Sequence, residues 1–154
     1  MREDDALRVH VNPGAFGDVS AEVLRNALLH VLDAEGVEEA EFSLTLVDDD
    51  AIRELNRRYL ERDRPTDVIA FSLGEPEAPL GDVYVGMEQA RRQADEAGVL
   101  LEEELVRLAV HGTLHVLGWD HPEGGERVES EMFRRQEALV REILDDAPAR
   151  TAEG

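Results

Sequence analysis

The sequence predicts a single α+β domain in which a small mixed sheet of about four strands packs against about five helices. The length of 154 residues suits one domain of ordinary size. Short segments alternate apolar and polar residues with a period of two, and longer segments repeat apolar residues with a helical period. The predicted order of strands and helices along the chain is βαβαββααα.

The N-terminal half is predicted to alternate two strands with two helices. Apolar and polar residues alternate at 9–11 and again at 42–47, which indicates two strands. Between them, Ser20 is a candidate N-cap and Gly36 a candidate stop for a helix with apolar residues on one face. Asp48, directly after the second predicted strand, is the first of three Asp residues that can cap the second helix.

The C-terminal half is predicted to contain two strands followed by three helices. The strands, at 68–71 and 82–85, are joined by a loop with two prolines. Gly98 and Gly118 each fit the position after a helix, where a left-handed backbone is common. The predicted helices span 86–97, 101–117 and 123–144. We therefore expect one domain over residues 1–146 and a frayed tail over 147–154.

The composition excludes several classes of protein. The chain contains no Cys, which excludes disulfide scaffolds, cysteine-based zinc sites and thiol catalysis. No apolar run reaches the ~18 residues of a membrane span, and the N-terminus lacks the pattern of a signal peptide. A cytoplasmic location without a membrane partner is expected.

The net charge is strongly negative but unevenly distributed. All 16 basic residues are Arg, and 36 acidic residues bring the formal net charge to −20. Because phosphate binding draws mainly on positive charge, this total by itself argues against a nucleic-acid partner. Residues 53–64, however, hold five Arg against three acidic residues, a net charge of +2, whereas the remainder carries −22. A binding site needs only local charge, so such a partner stays open.

Three of the five His fall within eleven residues near the end of the fourth predicted helix. His111 and His115 are four residues apart, which places both imidazoles on one helix face within reach of one metal ion. Gly118 permits a turn that can bring His121 back as a third ligand. Three neutral His around zinc leave one position open for water, whose pKa zinc lowers to about 7. The spacing predicts one Zn²⁺ per chain in a hydrolytic site.

The alternative is that these His are ordinary helix and loop residues, which would be the better interpretation of an isolated pair. His10 and His30 have no partner nearby in the sequence and are interpreted as surface residues. Asp120 lies beside His121. It is either a catalytic base or orienting group, or a turn residue that caps the bend.

The same His spacing matches the metal scaffold of metzincin peptidases. Those enzymes carry Glu directly after the first His as the general base, whereas this chain carries Gly112. The substitution argues against a peptidase of that mechanism, although a zincin-like three-His geometry is retained.

Three segments resemble the YbeY family of bacterial endoribonucleases and rRNA maturation factors. Residues 111–121, HGTLHVLGWDH, fit the family signature H-G-x-L-H-L-x-G-[YW]-D-H with one conservative change. Residues 55–59 (LNRRY) with 63–71 (DRPTDVIAF), and residues 80–83 (LGDV), resemble two further family segments in the same order. The His motif is highly specific and the other two support it.

The resemblance implies a single α+β domain with one zinc ion held by the three His. It also implies a metal-dependent endoribonuclease of 16S rRNA 3′-end maturation and ribosome quality control. An rRNA precursor and the small ribosomal subunit would be its partners, and DNA would not. Two other functions stay open: a zincin-like peptidase or other small-substrate metallohydrolase, and a non-catalytic ribosome-assembly factor with structural zinc.

Residues 53–64, the basic segment, depart from the family pattern at one position. Some members carry Arg directly after the Tyr of the LNxxY segment, as a candidate RNA contact, where this chain has Leu60. Neighbouring Arg residues are candidates for that role because guanidinium groups fit phosphate oxygens, and a solvated helix face with internal ion pairs is the alternative. The loop before the third strand is either a cleft wall or an ordinary turn. The substrate-binding candidates are Arg57, Arg58, Arg62, Arg64, Thr66 and Asp67.

Overall fold

The computed structural model describes residues 6–61, 66–75, 77–119 and 125–145, with side chains from residue 131 onward in the last range. Within these residues the predicted order of strands and helices is confirmed, and most boundaries move by only one to three residues. The elements are β1 (Leu7–Asn12), α1 (Ala21–Ala34), β2 (Ala40–Val47), α2 (Asp49–Leu60), β3 (Val68–Ser72), β4 (Leu80–Gly86), α3 (Met87–Ala97), α4 (Leu101–Val116) and α5 (Gly125–Asp145).

Local signals explain where the helices begin and end. The Ser20 side chain accepts a hydrogen bond from the Val23 amide at 3.2 Å and so caps α1. Asp48 caps α2 in the same way, through the Ala51 amide at 2.8 Å. Gly98 ends α3 in a left-handed conformation with φ of 71°, which costs glycine little because it has no Cβ.

The four strands form one mixed sheet with the order β1-β2-β4-β3. Strand β2 is parallel to both β1 and β4, whereas β3 is antiparallel to β4 and pairs Ala70 with Val83. Strand β3 therefore lies at one edge of the sheet, with β1 at the opposite edge.

Side chains that alternate along the central strands form the core on one face of the sheet. Phe42, Leu44 and Val83 on β2 and β4 are fully buried. Helix α4 contacts β3 and β4 and also packs against α1, α3 and α5. Because neighbours surround α4 in this way, its side chains are held on a rigid support. No helix among the described residues is long and apolar enough to cross a membrane.

Candidate metal centre

Helix α4 presents His111 and His115 on one face, one turn apart. Their Nε2 atoms are 2.9 Å apart, and the two rings are inclined by 75° with centroids 4.4 Å apart. Both side chains are only partly buried. Two nitrogen ligands of a tetrahedral zinc ion, each ~2.0–2.1 Å from the metal, lie about 3.3 Å apart. The pair is therefore close to the spacing that one metal ion requires.

The predicted third ligand, His121, and the candidate base, Asp120, lie outside the described residues. Among the residues that are described, no three metal-binding side chains converge. The last described residue before Asp120 is Trp119, whose indole donates a hydrogen bond to Glu35 Oε1 at 3.0 Å. Gly118 has the left-handed φ of 99°, so the turn expected after α4 is present two residues before Asp120.

The two His open into a cleft of about 350 Å³ beside the edge strand β3. The end of α2 and the start of β3 form the opposite wall. The remaining lining residues are Leu60, Asp67, Val68, Ile69, Ala70 and Gly112. The structure thus brings Asp67 into the same cleft as the His pair, and Thr66 donates a hydrogen bond to its carboxylate at 3.4 Å. The backbone carbonyl of Asp67 also accepts from the Gly86 amide at 2.8 Å, which fixes this loop against β4.

Gly112 lies where α4 packs tightly against β3 and β4. A Cβ atom at this position would lie 2.8 Å from Val83 Cγ1 and 3.2 Å from Val68 Cγ2. Val83 is fully buried, so the obstacle is a stiff core side chain that cannot swing away. A Glu side chain at position 112 would therefore have no room. This packing excludes the general base that metzincin peptidases carry directly after the first His.

Two arginines of the basic segment, Arg57 and Arg58, lie on the last turn of α2 and pair with one carboxylate. Arg57 donates two hydrogen bonds to Glu54, at 3.2 Å from Nε and 2.5 Å from a terminal nitrogen, and Arg58 donates one at 3.3 Å. The Arg57 hydrogen bond is the main cause of a lowered pKa of Glu54, with Arg58 contributing. These are the ion pairs expected of a solvated helix face, although Leu60, which ends the same turn, lines the cleft. Arg62 and Arg64 lie outside the described residues.

The other two His lie away from the cleft. His10, on β1, is exposed and lies 3.8 Å from Glu41, and β1 is at the far edge of the sheet from β3. His30, on α1, contacts Glu142 of α5 at 2.8 Å. Neither is among the residues that line the cleft.

Gln136 of α5, which was not predicted as a site residue, contacts His111. Its Oε1 lies 2.6 Å from His111 Nδ1, and the side chain is 6% exposed. The sequence could have marked Gln136 as unusual, because it is a polar residue among the apolar residues on the buried face of α5. The apolar residues of that face are Met132, Leu139, Val140 and Ile143.

Beside Gln136, Arg107 joins α4 to α5. Its guanidinium donates to both carboxylate oxygens of Glu137, at 2.8 and 3.0 Å, and also contacts Glu103 and Glu104 at 3.1 Å. The hydrogen bonds from Arg107 hold the pKa of Glu137 below its ordinary value, and contact with Glu137 raises the pKa of Arg107. Both groups are therefore charged at neutral pH, so the pair is a charge-assisted clamp.

Comparison with known proteins agrees with this geometry. The family model described as endoribonuclease YbeY matches residues 15–144. Endoribonuclease YbeY of Aquifex aeolicus is 46% identical over 119 residues, covering 75% of this chain and 78% of that protein. The Desulfitobacterium hafniense protein of the same name is 49% identical over 123 residues, covering 73% and 76%.

A solved structure resembles the whole fold. The solution structure of TM1509 from Thermotoga maritima superimposes with a TM-score of 0.68 at 30% sequence identity, and the match covers 96% of this chain and 95% of that one. The match to the family model spans most of the chain, including the His pair and the cleft wall. The chain therefore belongs to the YbeY endoribonuclease family.

Proposed function

We propose that this protein is a metal-dependent endoribonuclease whose active site is the cleft beside the edge strand β3. The observation that carries the proposal is the pair His111 and His115, whose Nε2 atoms converge at 2.9 Å. These atoms open into a cleft, in a chain of the endoribonuclease family. Imidazole ligands suit zinc, and also nickel and copper; we propose one zinc ion per chain with His121 as the third ligand.

The residues around the cleft are proposed to have separate roles in the reaction. When bound, the metal ion supplies a Lewis acid that polarises a phosphate oxygen and lowers the pKa of water. His111 and His115 hold it on the rigid helix α4. Asp67, in the opposite wall, is placed to accept a hydrogen bond from a ribose hydroxyl, with Thr66 orienting its carboxylate. Asp120, next to His121 in the sequence, is proposed as a base or orienting group.

We further propose that the substrate is single-stranded RNA in an rRNA precursor, cut during maturation of the 16S 3′ end. The small ribosomal subunit is the proposed partner and the cytoplasm the proposed location. The resemblance of the His motif and of residues 63–71 to the family supports these assignments. The net charge of −20 does not oppose them, because the segment at 53–64 carries +2 and contact with phosphate depends on local charge.

Two other functions fit the cleft less well. A peptidase of the metzincin type requires a Glu where Val83 and Val68 leave room only for Gly112. A purely structural metal is closed by four protein ligands, whereas His111 and His115 line an accessible cleft.

The proposal is tested by offering purified protein an unstructured RNA carrying unprocessed 16S 3′ sequence and, separately, a mixture of unstructured peptides. We expect the RNA to be cut internally, the cutting to stop when a chelator is added, and the peptides to stay intact. Peptide hydrolysis with intact RNA would favour the peptidase. A folded, zinc-loaded protein that cuts neither would favour the assembly factor.

Replacing both Arg57 and Arg58 with Gln is expected to weaken RNA binding without changing the zinc content. Each lost phosphate contact lowers the slope of log affinity against log salt by about 0.7 for a single strand, so the slope should fall by up to about 1.4. Binding of single-stranded RNA over a range of salt concentrations measures this slope.

The matched control replaces Arg8 and Arg25 with Gln. This changes the charge equally but at the opposite edge of the sheet, since Arg8 lies on β1 and Arg25 donates to the Val9 carbonyl at 3.3 Å. The control variant should keep the wild-type slope. Equal slopes for all three proteins would assign Arg57 and Arg58 to ion pairing with Glu54 alone.

A further inference from the structure

Gln136 is a buried polar side chain whose two ends are both engaged. Its Oε1 lies 2.6 Å from His111 Nδ1, and its Nε2 donates to Glu137 Oε2 at 3.0 Å. It is 6% exposed, so bulk water cannot readily replace either partner. A buried amide held at both ends has one orientation rather than two.

The charge of Glu137 determines that orientation. A carboxylate only accepts hydrogen bonds, so the Gln136 end that faces Glu137 must be the NH₂ donor. The end that faces His111 is then the carbonyl oxygen, which only accepts. His111 Nδ1 must therefore carry the proton, and in the neutral ring the lone pair lies on Nε2, the atom that faces His115.

Glu137 is itself held by Arg107, which lies one helical turn before His111 on α4. The contacts form a closed ring from Arg107 to Glu137, Gln136 and His111, and back to Arg107 along the helix. On its other side, Arg107 contacts Glu104, which is 5% exposed and accepts from Gln93 of α3 at 2.8 Å. Three helices thus fix the carboxylate that orients Gln136.

We propose that Gln136 is a positioning residue that selects the Nδ1–H tautomer of His111 and directs its Nε2 lone pair into the cleft. This inference rests on the proposed metal centre for its purpose but not for its geometry. Without a hydrogen-bond partner, an imidazole can rotate and adopt either tautomer, so it must be ordered when the metal binds. Loss of the partner that orients a metal-ligating His lowers metal affinity about 10–100-fold.

The test compares wild type with Gln136→Met, which keeps similar length and volume but removes the acceptor. Nitrogen-15 NMR of the His rings in metal-free protein reports the tautomer, and competition with a chelator reports zinc affinity. We expect Nδ1–H at His111 in wild type, a mixture of tautomers in Q136M, and zinc binding about 10–100-fold weaker in the variant.

Val140→Ala is the control for a structural effect. Val140 is buried one turn after Gln136 on α5, so this variant loosens the same helix without touching His111, and its tautomer and zinc affinity should match wild type. An unchanged His111 tautomer in Q136M would overturn the inference while leaving the metal centre intact. A protein that binds no zinc would refute the metal centre, and the tautomer measurement would still decide the role of Gln136.

Discussion

Replacing His115 with Ala is expected to remove the metal and, with it, RNA cleavage. His115 supplies one of the two described nitrogens of the centre, and Ala leaves His111 Nε2 without the partner that lies 2.9 Å away. We expect zinc content to fall from about one ion per chain to about a tenth or less, because the site then has too few ligands to compete with water. Metal analysis of the purified variant measures this directly.

The control for this variant is His10→Ala. His10 is an exposed strand residue at the far edge of the sheet, so its loss should leave both zinc and cleavage unchanged. Undiminished zinc in the His115 variant would place the metal elsewhere.

Replacing Gly112 with Ala is expected to destabilise the fold by up to about 2 kcal/mol, although Ala ordinarily stabilises a helix. The change gains about 1 kcal/mol of helix propensity. It also drives a Cβ to 2.8 Å from Val83 Cγ1, and overpacking of a core costs about 1–3 kcal/mol. In this dense contact between α4 and the sheet, overpacking exceeds propensity. Urea unfolding measures the net effect.

A second substitution identifies the cause. Val83→Ala removes the methyl groups that the new Cβ meets, at its own cost of about 2–3 kcal/mol for the cavity. In that background Gly112→Ala should be neutral or stabilising, which gives a coupling of about 1 kcal/mol or more between the two sites. Strictly additive effects would show that close approach to Val83 does not explain the glycine.

The strands, helices and their order could be predicted because their signals are local. Alternation over 42–47 marks a strand that is buried on one face, and Ser20 and Asp48 cap helices by contacting amides three residues on. The pairing of His111 with His115 could also be predicted, since helix geometry alone places residues four apart on one face.

Contacts between helices distant in sequence could not be predicted in the same way. Gln136 meets His111 across 25 residues, and Arg107 meets Glu137 across 30, so both depend on how α5 docks on α4. The polar interruption of the apolar face of α5 marks Gln136 as unusual without revealing its partner.

Gly112 shows the same division between local and long-range information. The sequence shows that Glu is absent after the first His, which bears on mechanism. Only the packing of α4 against β3 and β4 shows why, because Val83 and Val68 are brought there by strand pairing. Likewise, the basic segment shows local positive charge, while the contacts of Arg57 and Arg58 with Glu54 show that part of this charge is already paired.

We propose that a single metal ion at the His111–His115 pair makes this chain an endoribonuclease. The most direct test strips the protein with a chelator, then measures RNA cleavage while zinc is added back in known amounts. We expect no cleavage in the stripped protein and a rise that levels off at about one zinc per chain, with no rise in His115→Ala. Full cleavage by the stripped protein, or equal recovery in the His115 variant, would contradict the claim.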